Sequence, residues 1–194
     1  VVIAKKWGGP TITKDGVTVA RATLVQYRLA EAPAGEEWFG TTDFEPPAVI
    51  DDGLAPYISS DGVGWTRAIA EHQNTGRKRY VNRPIDVIEG QVNTPFVRAA
   101  VTAEGTSMVT NLGTAGIGYI NGDLTVALTR LPQDDWVGVE AETHWAAHGI
   151  AVGATTLYDS AGPIGTGLTT AVSNPAAQID FGHSRFPERI RREV

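Results

Sequence analysis

The chain has 194 residues, of which 42% are hydrophobic and 20% charged, and a formal net charge of −6. That length is enough for one large domain, or one domain with an appendage, and the acidic balance argues against nucleic-acid binding, which needs a basic face. There is no cysteine, so disulfides, thiolate catalysis and cysteine-held metals are excluded, and no apolar run approaches the ~20 residues of a membrane-spanning helix.

The opening, VVIAKKWGGP, lacks the apolar stretch and cleavage site of a signal peptide, so a cytoplasmic protein is expected. Residues 1–30 read as a β-hairpin. PTIT and VTVARATLVQYRL alternate apolar and polar residues around KDG, where Gly16 can take positive φ. Residues 31–63 are rich in Pro, Gly and acids without periodicity and read as a linker. From Gly64, WTRAIAEHQ and KRYVNRPIDVI flank NTG as a second hairpin, with Pro84 implying an edge strand or a bulge. A helix follows, with Asn93 or Thr94 as N-cap and Pro95 in its first turn. Then come four strand-like runs, DLTVALTRLP, WVGVEAETHWAA, GIAVGATTLYD and IGTGLTTAVSNP. The order over 64–175 is β-β-α-β-β-β-β, which predicts an α+β fold with an antiparallel sheet covering one helix. The charged tail, 176–194, is expected on the surface.

At 100° per residue, Val97, Ala100, Val101, Glu104 and Met108 share one helix face. A carboxylate on a buried apolar face has a raised pKa, which suits a general base. The alternative is that Gly105 frays the helix and Glu104 simply reaches water. The small residues Gly105, Thr106 and Ser107 would let a ligand approach the backbone. GTAGIG fits neither a dinucleotide fingerprint nor a P-loop. His144 and His148 have i, i+4 spacing but fall on a strand-turn-strand junction, where the rings do not converge on a metal. No Ser sits in a nucleophile elbow. Arg77 and Arg79 in GRKR, like Arg185, Arg189, Arg191 and Arg192 in the tail, read either as solvated charge or as phosphate contacts. Trp65, Trp136 and Trp145 read as core or interface residues.

NTPFVRAA, TNLGTAGIGYINGDLTVALTRLP, WVGVEAETHW and GIAVGATTLYDSAGPIGTG, in this order, resemble the C-terminal hotdog domain of the acyl-CoA thioesterase-like proteins with two tandem hotdogs, especially the actinobacterial members. DGVTVARATLVQYRL resembles the last strand of that family's first hotdog, which makes 1–30 a remnant of it, 31–63 the linker and 64–175 the hotdog domain. VVIAKKWGGPTITKDGVTVA also resembles a hairpin of the group I chaperonins, in which the Asp matching Asp15 lies near nucleotide phosphates. That likeness ends by residue 22, and ATPase activity is not expected.

The thioesterase resemblance implies a hotdog fold and hydrolysis of acyl-CoA without a cofactor or metal. The family's water-holding Asp–Thr–Gln set falls on Glu104, Asn121 and Thr169, all polar but none the family residue. Glu104 is thus expected to activate water, with Asn121 and Thr169 orienting it. Backbone N–H groups of Gly105, Thr106 and Ser107, or a neighbouring hotdog, are expected to bind the oxyanion, and Arg77 and Arg79 the CoA phosphates. The acyl chain is expected between helix and sheet. The three changed residues leave open a second reading, a catalytically silent acyl-CoA-binding or assembly module. An incomplete first hotdog predicts a homodimer or other oligomer through hotdog sheets, with no nucleic-acid or membrane partner.

Overall fold

A computed structural model describes residues 4–7, 9–27, 33–51 and 56–182. The chain forms two compact units, Val1–Thr42 and Asp43–Val194. In the first, β1 (Ala4–Trp7), β2 (Thr11–Lys14), β3 (Val17–Arg21) and β4 (Leu24–Tyr27) form antiparallel pairs, β2 with β3 and β1 with β4. The expected KDG turn is present. Asp15 and Gly16 take φ of 52° and 77°, the left-handed pair of a tight hairpin turn. The single second strand expected over 17–29 is two strands, because the chain is pinched where Ala22 N–H donates to the Pro10 carbonyl. Gly9 is required there, since a Cβ would lie 1.3 Å from the Ala22 oxygen.

The second unit begins its regular structure with β5 (Tyr57–Ser60) and β6 (Val63–Thr66), a hairpin around Asp61–Gly62. Tyr57–Ser60 thus lies inside the stretch expected to be linker. The stretch expected to be a strand before NTG instead holds a 3-10 turn, Ile69–His72, and β7 (Lys78–Asn82) pairs with β5. Pro84 does not mark an edge strand. It lies just past the end of β7, which sits between β5 and a later strand inside the sheet.

The helix begins as expected. Thr94 is the N-cap, its Oγ1 accepting from Val97 N–H at 3.3 Å, and Pro95 opens α1 (Pro95–Ala103). Glu104 interrupts the run, and α2 (Gly105–Asn111) continues it. After the small ribbon of β8 (Leu112–Gly113) and β9 (Gly116–Ile117) come the four long strands, β10 (Tyr119–Leu128), β11 (Val137–Ala147), β12 (Ile150–Asp159) and β13 (Gly162–Ser173). They join β5, β6 and β7 in one antiparallel sheet of order β10-β13-β12-β11-β7-β5-β6. The helix packs on β7, β11, β12 and β13. This is the hotdog arrangement, a sheet around one central helix. In the tail, Pro175–Ala177 forms a 3-10 turn and Ile179 bridges to Ile117. The tail arginines lie outside the described residues.

Two features hold the layers together. The first is close contact. The helix face against the sheet is made of Ala99, Thr102, Ala103, Thr106, Val109 and Thr110, mostly small side chains. Thr106 and Thr155 share a hydroxyl hydrogen bond of 2.8 Å, and Thr110 donates to the Thr106 carbonyl. Gly153 and Gly167 make the fit, because a Cβ on either would come within 2.5 Å of Thr110 or 2.3 Å of Thr106. Around this contact lie Val137, Val139, Ala141, Leu157 and Ile164. The second is polar. His72 is fully buried, with Ser60 Oγ at 3.1 Å from Nδ1 and Thr66 Oγ1 at 3.0 Å from Nε2, and Asn74 Nδ2 donates to Ser60. Burial lowers the His72 pKa and so favours the neutral ring, which shares a hydrogen bond with each hydroxyl.

Gly167→Ala is expected to lower stability by about 1–3 kcal/mol through overpacking against Thr106 and Thr155. Gly64→Ala, where a Cβ meets nothing within 4 Å, is expected to have little effect. Denaturant unfolding of the two variants checks this.

Candidate active site

Glu104 stands at the junction of α1 and α2, and its surroundings differ from those expected. The residue is exposed, and Val97, Ala100, Val101 and Met108 on its face are exposed or half-buried. The helix is turned so that its Ala and Thr side chains meet the sheet. Those residues allow the shortest approach, and the larger apolar stripe is left facing outward. The carboxyl is still not an ordinary solvated acid. Partial burial raises its pKa, and a hydrogen bond from Asn121 pulls it back down. Asn121 reaches it from β10, donating through Nδ2 to Glu104 Oε1 at 2.9 Å. β10 has a bulge between Asn121 and Asp123.

Ser107, one turn along the helix, donates its hydroxyl to Asn121 Oδ1. Asn111, one turn further, donates Nδ2 to Ser107 Oγ at 3.3 Å. Tyr80 of β7 faces Glu104 from another side. Its hydroxyl pKa is pushed up to about 12, first by burial and then by the Glu104 charge, so the phenol stays protonated. The Tyr80 ring fills the space beside Gly105, where a Cβ would lie 2.8 Å from it. Tyr80 and Asn111 were absent from the sequence expectation. Asn111 has a signal in its helical spacing from Glu104 and Ser107, whereas Tyr80 is brought in only by strand pairing.

The other expected residues divide clearly. Asn121 and Glu104 are together. Thr169 is buried, and its hydroxyl donates to the Asp123 carbonyl at 2.8 Å, which ties β13 to the β10 bulge. Gly105 and Thr106 are buried against Tyr80 and the sheet. The Ser107 N–H donates to the Glu104 carbonyl at 3.2 Å and so is engaged within the helix. The close seating at Thr106 and Thr110 leaves no room there for an acyl chain between helix and sheet.

Arg77 and Arg79 are bound up in ion pairs. Arg79 Nε donates to the fully buried Glu140 at 2.6 Å and its Nη1 to Asp61 at 3.0 Å, while Arg77 reaches Glu142 at 3.0 Å and Glu140 at 3.3 Å. Lys78 between them is buried, its ammonium held by the Asn74 and Gly76 carbonyls at 2.7 Å. The segment is therefore an internal brace, not a free basic tip.

The histidines are apart in role. His144 lies on β11 with its ring edge-on to Tyr119, and His148 takes positive φ in the turn to β12. Among the described residues no group of three or more His, Asp or Glu is placed to hold a metal ion. Trp145 is 72% exposed on the outer side of the sheet, which excludes it from this unit's core. A cleft of about 590 Å³ lies at the C-terminal end of α2, lined in part by Arg77, Lys78, Asn111, Thr143 and His144. Among the described residues no helix is long and apolar enough to cross a membrane.

Arg79→Ala is expected to destabilise the protein by roughly 3 kcal/mol, since it removes the closest cation from the buried Glu140. Thermal unfolding tests this brace, and an unchanged midpoint would contradict it.

Comparison with known proteins concerns the family and the fold. No curated protein matches the chain in sequence. Among solved structures, the TesB protein of Mycobacterium avium subspecies paratuberculosis aligns over 90% of this chain and 71% of its own, with a TM-score of 0.50 and 12% identity. A candidate thioesterase from Syntrophus aciditrophicus aligns over 50% of this chain and 76% of its own, with a TM-score of 0.40 and 14% identity. At that identity the first likeness concerns the fold. The family described as acyl-CoA thioesterase C-terminal domain matches residues 29–172, most of the chain, and the protein belongs to that family.

Proposed function

We propose that the protein hydrolyses acyl-CoA thioesters, using a water molecule activated by Glu104. The observation that carries this reading is a carboxylate with a raised pKa, held through one oxygen by Asn121. With Oε1 engaged, Oε2 serves as the base. A raised pKa brings the carboxylate closer to working pH and makes it a stronger proton acceptor. A thioester carbonyl is a good electrophile, so a positioned water and a base suffice without a covalent intermediate. Water adds to the carbonyl as Glu104 takes its proton. The tetrahedral intermediate then expels CoA thiolate, which Glu104 protonates, leaving carboxylic acid and free thiol.

The family membership supports the substrate class. The outward apolar stripe of Val97, Ala100, Val101 and Met108 supports a location for the acyl group beside Glu104 on the helix's outer flank. The same stripe supports a second hotdog, in a homodimer or other oligomer, that covers this flank and supplies the oxyanion donor. The CoA phosphates are left to basic groups other than Arg77 and Arg79.

One observation favours a second reading, a silent acyl-CoA-binding or assembly module. Thr169 is tied to the Asp123 carbonyl, so two of the three expected polar side chains, not three, meet at the carboxylate.

Glu104→Gln is expected to abolish release of free thiol from a panel of acyl-CoAs while leaving the unfolding midpoint nearly unchanged. In the unaltered protein, turnover should fall as pH drops through the raised Glu104 pKa, because the base is then protonated. Ligand-induced thermal stabilisation without turnover selects the silent module. Light scattering coupled to gel filtration is expected to find a dimer or larger assembly, and a stable monomer at active concentrations would contradict the shared site.

A further inference from the structure

We infer that Ser107 and Asn111 are positioning residues, which fix the Asn121 amide so that its N–H, not its carbonyl, meets the Glu104 carboxylate. The inference rests on the proposed role of Glu104 and extends it to a line of hydrogen bonds with one direction. Asn111 Nδ2 donates to Ser107 Oγ, Ser107 donates to Asn121 Oδ1, and Asn121 Nδ2 donates to Glu104 Oε1.

The direction follows from hydrogen counting. A hydroxyl has one hydrogen. Its two lone pairs could accept from both amides, so the direction is set by the Glu104 carboxylate, which only accepts: it takes the Asn121 NH2 group, and Asn121 Oδ1 is left to receive the Ser107 hydrogen. An amide oxygen that accepts this hydrogen must face Ser107, which turns the opposite NH2 group to the carboxylate. The reversed amide would set a carbonyl oxygen against a carboxylate oxygen, two acceptors with no hydrogen between them. Asn111 is 6% exposed, and its buried amide makes its one side-chain hydrogen bond to Ser107, its Oδ1 having no hydrogen-bond partner among the described residues. Glu104, Ser107 and Asn111 follow at i, i+3 and i+7, which sets them along one side of the helix.

The consequence for catalysis is specific. A neutral donor on Oε1 stabilises the ionised carboxylate and leaves Oε2 as the base. The groups facing this carboxylate are the Asn121 amide from β10 and the Tyr80 phenol from β7, which burial and the Glu104 charge keep protonated. If Asn121 is free to turn, the carboxylate loses its donor for part of the time and is protonated at higher pH.

The test compares Ser107→Ala, Ser107→Thr and Asn111→Ala in the full chain. Two readouts are taken, the pH profile of acyl-CoA hydrolysis and the titration of the Glu104 carboxyl carbon by NMR. Ser107→Ala is expected to move the titration and the acid limb of the profile to higher pH, with kcat/KM down roughly tenfold as a charge-assisted hydrogen bond is lost. Ser107→Thr, which keeps the hydroxyl, is expected to restore both. Asn111→Ala is expected to shift them in the same direction by less, because Ser107 can then turn its hydrogen either way. A Glu104 titration unmoved by Ser107→Ala overturns the inference. If no acyl-CoA is hydrolysed by the unaltered protein but the titration still moves, the hydrolase reading fails and the positioning line stands.

Discussion

The contact between Thr106 and Thr155, made under a helix that rests on glycines, governs the rest of the Asp43–Val194 unit. Gly153 and Gly167 take away the Cβ atoms that would hold the helix off β12 and β13. At that separation the Thr106 and Thr155 hydroxyls reach one another and the Thr110 hydroxyl reaches the Thr106 carbonyl, and so these three satisfy groups that would be costly to bury unpaired. The rotation of the helix follows. With Ala99, Thr102, Ala103, Thr106 and Thr110 directed at the sheet, Glu104 and Ser107 must stand at the flank, where β10 brings Asn121 to them. The same contact that closes the core therefore places the acid.

A second constraint works across the sheet. Glu140 is fully buried, and an unpaired charge there would be untenable. Arg79 and Arg77 reach it from β7 and its approach, and the Tyr158 hydroxyl adds a third donor at 3.3 Å. Phe44 stacks on Tyr158, with ring centroids 4.4 Å apart, and covers Gly138. This arrangement couples β7 to β11. It also fixes Tyr80, one residue beyond Arg79, on β7 opposite Val139 and beside Gly105. The buried salt bridge and the candidate site therefore share a strand. In a strand, successive side chains point to opposite faces, so Arg79 can serve one side while Tyr80 serves the other.

Much of this was legible where the physics is local. The Thr94 cap and Pro95 follow from orphan N–H groups at a helix start, and the four long strands follow from the strand-like runs over 123–175. The KDG turn follows from backbone conformation. What was not legible depended on partners distant in sequence. Tyr57–Ser60 is short and follows a Pro-rich stretch, and its strand character comes from pairing with β7. The buried helix face was misread because hydrophobicity ranks Val97, Val101 and Met108 above Ala and Thr. Packing distance ranked them the other way. The basic run over 77–79 could not show that Glu140 lay opposite it. At the site, Glu104 with Asn121 was legible from the family likeness, whereas the diversion of Thr169 to the Asp123 carbonyl depends on a bulge that no local pattern announces.

The half-open setting of Glu104 then has a physical meaning of its own. A carboxylate sealed beneath the sheet would need full compensation for its charge and would leave no path for water. One in bulk solvent would titrate as an ordinary acid, too weak a base to help. Glu104 lies between these limits. Packing on one side raises its pKa, a single amide donor restrains the rise, and the outward apolar stripe beside it remains available to whatever covers the helix. When an apolar group comes down on that stripe, whether an acyl chain or a second hotdog, water is removed from the carboxyl's open side and its pKa rises further. If Glu104 is the base proposed above, covering that flank would strengthen it, while the Asn121 donor opposes the rise.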